Sequence, residues 1–170
     1  MRSMLRRGAM GVAVAFLPLC LAAQPAADPW RAFLGAWRGP GTAMSRPAVG
    51  DARWERVLGG RYVRLEMSFT PDGAPAPVFF GHAYYSTTDS TGHWIDSQGN
   101  HYALTQAMVG DTLRVRYTLA SGAAAESAYW PERDGSLVER SRSRQPNGEW
   151  REFLAYRFRR VALQPDAETR

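Results

Sequence analysis

Glycine-containing turn signals recur along this chain and separate short runs in which apolar and polar residues alternate. The signals are GG at Gly59, PDG at Pro71, GD at Gly110, SG at Ser121, DG at Asp134 and NG at Asn147. The segments between them alternate apolar and polar residues without a helical period. Because such alternation is typical of strands that bury one face, the pattern predicts an all-β fold of about ten strands, arranged as a meandering antiparallel barrel or sandwich.

The first 23 residues have the three parts of a secretory signal peptide. Three arginines, Arg2, Arg6 and Arg7, precede an apolar run over residues 10–21, and two alanines follow it. The run is roughly half the ~20 residues that span a bilayer, so we expect cleavage near Ala23 rather than a retained membrane span. The mature chain is then periplasmic or secreted. The predicted parts of the chain are a signal peptide (1–23), a linker with the start of a helix (24–32), one barrel domain (33–161) and a disordered tail (162–170).

A short helix is predicted directly before the first strand. Asp28 is a favourable N-cap, Pro29 suits the first helical position, and Gly35 suits the residue after the end. These signals predict one to two helical turns over residues 30–34.

Cysteine usage and charge exclude several kinds of site. Cys20 is the only cysteine and lies inside the predicted signal, so we expect no disulfide, thiolate metal site or cysteine nucleophile in the mature chain. Without the three arginines of the signal, the formal charge of +5 falls to +2, and basic residues alternate with acidic ones. This pattern is typical of a solvated surface, so we expect no nucleic-acid partner.

Two short loops fix the register of two hairpins, because a two-residue loop determines which residues oppose each other. With Gly59 and Gly60 as the first loop, Trp54 opposes Leu65, apolar pairs share one face and opposite charges share the other. The dipeptide at Gly110 fixes a second hairpin in the same way. The side chains that these hairpins place inside are Val63, Leu65, Met67, Phe69, Tyr102, Leu104, Gln106, Met108, Leu113, Val115, Tyr117 and Leu119.

The stretch GHWIDSQGNHY, residues 92–102, places two histidines and an aspartate around a glycine. An even loop puts His93 on the inner face and Trp94, Asp96 and His101 on the outer face. A zinc site using both histidines would need an odd loop or a bulge, so we predict no metal site. Asp96 beside His101 is either a surface pair or an acid that orients a general base.

Carrying the register through the later turn signals places further polar side chains inside. The predicted polar inner residues are Arg56, His93, Gln106, Glu126, Glu139 and Glu152. Buried carboxylates are costly unless they are paired or solvated, so this mixture favours a ligand-holding lumen over a packed core, with an internal plug of paired arginines and glutamates as the alternative. The predicted ligand-binding residues are Arg56, His93, Tyr102, Gln106, Tyr117, Glu126, Glu139 and Tyr156.

Three segments resemble a large, uncharacterised bacterial family of lipocalin-like, calycin-type barrels. They are LGGRYVRLEM (58–67), GHAYY (81–85) and WIDSQG (94–99). The stretch LGAWRGPG (34–41) is similar to the opening of lipocalin-like and nitrobindin-like barrels, where a Gly-x-Trp strand follows a short helix and the Trp closes the barrel floor. The resemblance covers residues 33–160 and implies a barrel in an envelope setting, with no established activity.

The nitrobindin branch of this resemblance implies a haem held by a histidine near the C-terminal strand. Here that strand, EWREFLAYRFRR, contains no histidine, which leaves Tyr156 as the alternative iron ligand. We therefore predict no haem and no other cofactor.

Three kinds of function remain open at this point. The leading hypothesis is non-enzymatic binding of a small, partly apolar ligand in the lumen. The second is an isomerase or hydrolase with His93 or Glu126 as proton carrier, although the chain has no nucleophile elbow, HExxH, paired CxxC or glycine-rich phosphate loop. The third is an envelope protein that binds partners through the outer face around Trp94.

Overall fold

Ten strands make up the fold in the computed structural model, which describes residues 28–162. They are β1 (Gly35–Ala43), β2 (Arg46–Val57), β3 (Tyr62–Pro71), β4 (Phe79–Ser86), β5 (Thr91–Asp96), β6 (His101–Val109), β7 (Thr112–Thr118), β8 (Ala124–Pro131), β9 (Leu137–Arg144) and β10 (Trp150–Val161). Each strand pairs antiparallel with the next, and β10 pairs with β1 to close the sheet. The predicted all-β antiparallel barrel is confirmed, and the sandwich alternative is wrong. The predicted signal peptide and nearly all of the predicted tail lie outside the described residues.

The helix predicted over residues 30–34 is not formed. Asp28 does accept a hydrogen bond from the Trp30 N–H, at 3.1 Å, and the Trp30 carbonyl accepts one from Phe33 at 3.0 Å, but the segment consists of turns. Nucleating a helix is costly, and so short a segment does not repay that cost. The one helical element in the described part is a 3₁₀ turn at Leu58–Gly60. No helix within residues 28–162 has the length and apolar character that crossing a bilayer requires.

The N-terminal turns close one end of the barrel with aromatic side chains, which we call the floor. Trp30 stacks on Tyr85 with ring centroids 5.8 Å apart, and Phe33 packs on Trp54 at 5.4 Å. All four side chains are buried. The indole N–H of Trp37 donates to the Phe33 carbonyl at 2.7 Å, so the tryptophan of the Gly-x-Trp pattern also lies at this end.

Two hairpins have the predicted register. Trp54 pairs with Leu65 across β2 and β3, and Met108 pairs with Leu113 across β6 and β7. The first connection has four residues instead of two, but an even number preserves the register. The second is a two-residue loop in which Gly110 has a positive φ of 60°, as a type II′ turn requires. All side chains predicted inward from these hairpins are buried or half-buried.

Four other hairpins share a three-residue loop that ends in glycine. The loops are 97–99, 120–122, 133–135 and 146–148. In each, the N–H before the loop donates to the carbonyl after it, and the glycine N–H donates to the carbonyl before it. The glycines have φ values from 78° to 87°, the left-handed conformation that a type I turn with a G1 bulge needs.

The loop at 97–99 reverses the predicted faces of β5, whereas β6 has the predicted ones. Trp94 and Asp96 point inward, while His93 and His101 are exposed on the outer face. The expectation of an even loop is wrong because the glycine alone takes a positive φ and a third residue joins the loop. The two histidine rings stack with centroids 6.0 Å apart, but in the described chain no three metal-ligating side chains come together.

The loop at 120–122 turns Glu126 to the outer face, so its predicted inward position is wrong. There Glu126 forms an ion pair with Arg142 at 2.5 Å. The next odd loop, 133–135, adds a second one-residue shift that cancels the first. Glu139 on β9 therefore points inward, as predicted.

The loop at 146–148 is also odd, and a β-bulge at Phe153 in β10 cancels the one-residue shift that this loop causes. Glu152 and Leu154 pair with consecutive residues of β9, so Phe153 is the extra residue. Glu152 is exposed and pairs with Arg140 at 2.9 Å, so its predicted inward position is wrong. Beyond the bulge, Tyr156 is buried as predicted. Bulges at barrel rims re-aim side chains, and here Phe153 is aimed at the rim of the lumen.

Candidate functional site

The barrel contains a cavity of about 240 Å³ that opens at the end opposite the floor. Its walls come from side chains of β3 through β10 and from Met44 in the β1–β2 turn. The main apolar and aromatic lining residues are Met67, Phe69, Phe79, Trp94, Tyr102, Leu104, Val115 and Leu154. The polar ones that the site's chemistry depends on are Tyr85, Asp96, Tyr117, Ser127, Tyr129, Glu139 and Ser141. The cavity is thus apolar along its walls, with polar groups gathered on a few strands.

Three aromatic rings form a stacked wall of this cavity. Phe79 lies between Phe69 and Trp94, with centroid distances of 4.5 and 6.1 Å and nearly parallel planes. The Trp94 ring lies flat across Gly81, where a Cβ would come within 2.3 Å of the indole. Only glycine at this position lets the indole lie against the sheet.

Glu139 places a carboxyl group at the deep end of the cavity. Its register partner Tyr129 packs on Trp54 of the floor, with ring centroids 5.2 Å apart. Glu139 itself is 1% exposed. Ser141 Oγ donates to Oε1 at 3.3 Å, whereas Oε2 is buried and has no hydrogen-bond partner in the described part of the chain. Burial raises the pKa of Glu139 to about 7, and the hydroxyls of Tyr129 and Ser141 oppose this rise only in part.

A row of hydroxyl groups leads from Glu139 toward the open end. Ser141 Oγ lies 2.7 Å from Ser127 Oγ, which lies 3.4 Å from the Tyr117 hydroxyl. Each hydroxyl can donate or accept, so the row can adjust to either protonation state of the carboxyl group.

The buried tyrosines stay protonated at neutral pH. Burial raises the pKa of Tyr85, Tyr129 and Tyr156 above the usual phenol value, and the nearby Glu139 adds to each rise. Burial raises the pKa of Tyr117 to about 12. The Tyr156 hydroxyl is also buried, and no described residue forms a hydrogen bond with it. These groups therefore offer hydrogen bonds rather than negative charge.

Asp96 supplies a second carboxylate, at the open end. Trp94 Nε1 donates to Oδ2 at 3.0 Å, and the backbone N–H groups of Gln98 and Asn100 donate to Oδ1 at 3.0 and 3.1 Å. Partial burial acts to raise the pKa of Asp96, but the hydrogen bonds together hold it below the usual value. The carboxylate is ionised at neutral pH and fixes the orientation of the Trp94 ring.

Three of the predicted ligand-binding residues line the cavity, namely Tyr102, Tyr117 and Glu139. The rings of Tyr102 and Tyr117 stack with centroids 5.8 Å apart. Tyr156 is inward and beside Glu139 in register, but it packs on the barrel wall rather than lining the cavity. Gln106 is buried, and its amide donates to backbone carbonyls of the β4–β5 connection, the shortest bond being 2.6 Å. Their binding roles stay predictions.

The other three predicted ligand-binding residues do not reach the cavity. His93 and Glu126 lie on the outer face because the loops next to them are odd. Arg56 has the predicted register but lies at the closed end, where its guanidinium pairs with Asp28 at 2.6 Å. The two proton carriers of the enzyme hypothesis are therefore both outside the lumen.

The cavity-lining residues outside the predicted set include Trp94, Asp96, Ser127 and Tyr129. A signal for the first two is present in the sequence. Aspartate is favoured at the first position of a type I turn and glycine at the fourth, and Asp96 and Gly99 have this spacing. That interpretation gives an odd loop and the observed faces.

The outer-face hypothesis also changes, because Trp94 is inside. The apolar side chains exposed on that side of the barrel are Val78, Phe80 and Ile95, each at least half exposed. Nothing in the described structure indicates what covers them.

The residues present do not fit a haem group. The three histidines, His82, His93 and His101, all lie on the outer face. Tyr156 would have to ligate iron as a phenolate, but burial and the neighbouring Glu139 raise its pKa. The part of the cavity lining that the structure describes offers no arginine or histidine to pair with the carboxylates of haem.

Comparisons with known proteins support the fold alone. No family model and no curated protein matches this chain. Among solved structures, the chain is similar to the crystal structure of Rv2717c from M. tuberculosis, with a TM-score of 0.60 and 12% sequence identity over 80% of this chain and 99% of that chain. At this identity the likeness shows a shared barrel fold and carries no information about ligand or reaction.

Proposed function

We propose that this protein is an exported, lipocalin-like barrel that binds a small, partly apolar molecule in its lumen. The observation that carries the proposal is the cavity itself, with a stacked aromatic wall and an unpartnered carboxylate oxygen of Glu139 at its deep end. Ligand sites are typically concave and mostly apolar, with a few convergent polar groups.

The size of the cavity limits the ligand. Its volume of about 240 Å³ is below the range of about 300 to 1,000 Å³ that is typical of ligand pockets. A small ligand with a single apolar body therefore fits better than a large cofactor. Export rests on the signal-like composition of residues 1–23.

Native mass spectrometry tests both parts of the proposal. The full chain would be expressed in a bacterium and purified from the periplasm, and its native and denatured masses compared. We expect a denatured mass matching residues 24–170 and a larger native mass that includes the ligand.

Two variants on consecutive residues of β8 provide a matched comparison. Ser127→Phe adds a ring to the cavity lining, whereas Ala128→Phe adds the same ring on the outer face. We expect the first variant to lose the bound mass and the second to keep it. A native mass without ligand, together with no binding of 1-octanol by calorimetry, would contradict lumen binding.

A second candidate, proton transfer by Glu139, is favoured by one observation. Glu139 lines the cavity, and burial raises its pKa to about 7, where a carboxyl group can both donate and accept a proton. Incubating the recovered ligand in heavy water with the wild type and with Glu139→Gln tests this candidate. Deuterium uptake at carbon with the wild type alone supports catalysis, and an unchanged ligand leaves binding as the function.

A further inference from the structure

Within residues 28–162, the lumen carries negative groups without a positive one. Among the described residues that line the cavity, Glu139 and Asp96 are the carboxyl groups, and none is an arginine or a histidine. Arg151 has an inward register above the Phe153 bulge, but it is exposed and lines depressions on the surface beyond the rim. The described arginines therefore lie outside the cavity lining, whose side chains are mainly apolar, aromatic and acidic.

We infer that the ligand is a cationic amphiphile, whose protonated amine meets Glu139 at the deep end while its apolar body lies against the Phe69–Phe79–Trp94 wall. This inference rests on the proposed function, since it names the chemical class of the lumen ligand. Glu139 is the anchor because its Oε2 is buried, has no hydrogen-bond partner among residues 28–162 and belongs to a side chain that lines the cavity.

An anionic ligand is disfavoured by the same geometry. Its carboxylate would enter a weakly solvated site beside Glu139 with no cation to offset the charge. A neutral alcohol can donate one hydrogen bond to Oε2, whereas an ammonium donates a hydrogen bond and also neutralises the charge of the buried carboxylate. The aromatic faces along the wall also attract a cation, and the ionised Asp96 attracts it at the entrance.

Binding of a cation is coupled to the ionisation of Glu139. The groups that face this carboxyl group from the neighbouring strands are hydroxyls, which stay neutral between pH 6 and 8. They belong to Tyr85, Tyr117, Tyr129, Ser141 and Tyr156. Asp96 is ionised throughout this range. Cation binding at pH 6 therefore releases a proton from Glu139, and affinity rises with pH up to 8.

Calorimetric titration with three matched probes tests the inference: octylamine, 1-octanol and sodium octanoate, each added to the purified mature protein. We expect octylamine to bind about tenfold more tightly than 1-octanol at pH 8, with octanoate the weakest. Octylamine affinity should fall about tenfold from pH 8 to pH 6. Heats measured in two buffers of different ionisation enthalpy should show close to one proton released per amine at pH 6.

Glu139→Gln keeps the shape of the side chain and removes its charge. We expect it to bind octylamine and 1-octanol equally and without proton release. Glu126→Gln, which removes a carboxylate from the outer face, should behave like the wild type. Near-ultraviolet circular dichroism checks the fold of both variants, and the comparison of three probes on the wild type does not depend on them.

The outcomes separate the two proposals. Octanoate or 1-octanol binding the wild type as tightly as octylamine overturns the cationic ligand and leaves lumen binding standing. An amine preference that survives in Glu139→Gln overturns the role of this carboxyl group. Failure of all three probes to bind counts against lumen binding itself.

Discussion

Glu139 and Tyr156 lie opposite each other on neighbouring strands, and each has a buried polar atom that no described residue hydrogen-bonds. Such atoms are rare in folded proteins, and each destabilises the fold by about 1 to 3 kcal/mol. Of the two, Glu139 lines the cavity, and an atom without a partner is expected there where a ligand supplies it.

The pH dependence of stability provides a direct test of the environment of Glu139. Its pKa rises from the usual 4.5 to about 7 on folding, so the folded state holds the proton more tightly. The contribution of protonated Glu139 to the free energy of unfolding is complete below pH 4.5 and is lost as pH rises through 7. For this shift in pKa, the loss is about 3 kcal/mol. Glu139→Gln cannot ionise, so this loss should be absent in the variant. Urea unfolding of both proteins at pH 5 to 8 measures the difference.

Comparing the wild type with Glu139→Gln separates the titration of Glu139 from that of all other ionisable groups. Relative to Glu139→Gln, the wild type should become steadily less stable from pH 5 to pH 8. Parallel stability curves for the two proteins would show that Glu139 titrates normally and is not in an apolar environment.

At the scale of elements, the faces of the strands depend on single glycines in the loops. A loop of two residues and a loop of three place opposite faces of the following strand toward the core, since side chains alternate with a period of two. Four hairpins here use the longer loop, in which glycine alone has a positive φ. Loop length therefore decides whether Trp94 and Asp96 line the lumen or face solvent.

Much of the barrel could be predicted from the sequence, because its strands alternate and its turns contain glycine. The inward face of β9, with Glu139, was predicted correctly only because two odd loops cancel. The faces of Glu126 and Trp94 could not be obtained from dipeptides such as SG and QG, since these occur in both loop types. Local sequence patterns could not predict the packing of the floor either, because Trp30 and Phe33 contact residues that are distant in sequence.

Gly135 allows the conformational requirement of the three-residue loop to be measured without steric effects. Its φ is 78°, and a Cβ there would meet no atom within 4 Å. Gly135→Ala should therefore destabilise the barrel by about 1 to 2 kcal/mol through backbone strain alone. Gly135→Asn should cost less, because asparagine tolerates the left-handed region. Urea unfolding of the three proteins checks the order, and an alanine variant as stable as wild type would contradict it.

At the scale of the whole molecule, charge and polarity are separated between the two faces of one sheet. Ion pairs between arginines and carboxylates cover the outer face, as in Arg38 with Asp51 at 2.7 Å. Exposed pairs of this kind stabilise by at most about 1 kcal/mol each, so they serve solubility more than folding. The inner face gathers the aromatic rings and the isolated carboxyl group of Glu139. One closed sheet thus combines a charged outer surface with an apolar, acidic interior.

Closure of the sheet predicts that the barrel does not depend on which strand comes first along the chain. Ala36 pairs with Val161, so the ends of the first and last strands are adjacent. A permuted chain that joins residue 162 to residue 28 through a short flexible linker should fold when opened in the β3–β4 connection, between Gly73 and Ala74. Every ladder pair of the barrel survives this change, so we expect native near-ultraviolet circular dichroism and a loss of stability of about 1 to 2 kcal/mol from the altered loop closure. A control permutant opened between Leu65 and Glu66 breaks β3 where it pairs with both neighbours and should not fold. Failure of the first permutant would show that the order of the strands along the chain, and not only the closed ladder, determines this barrel.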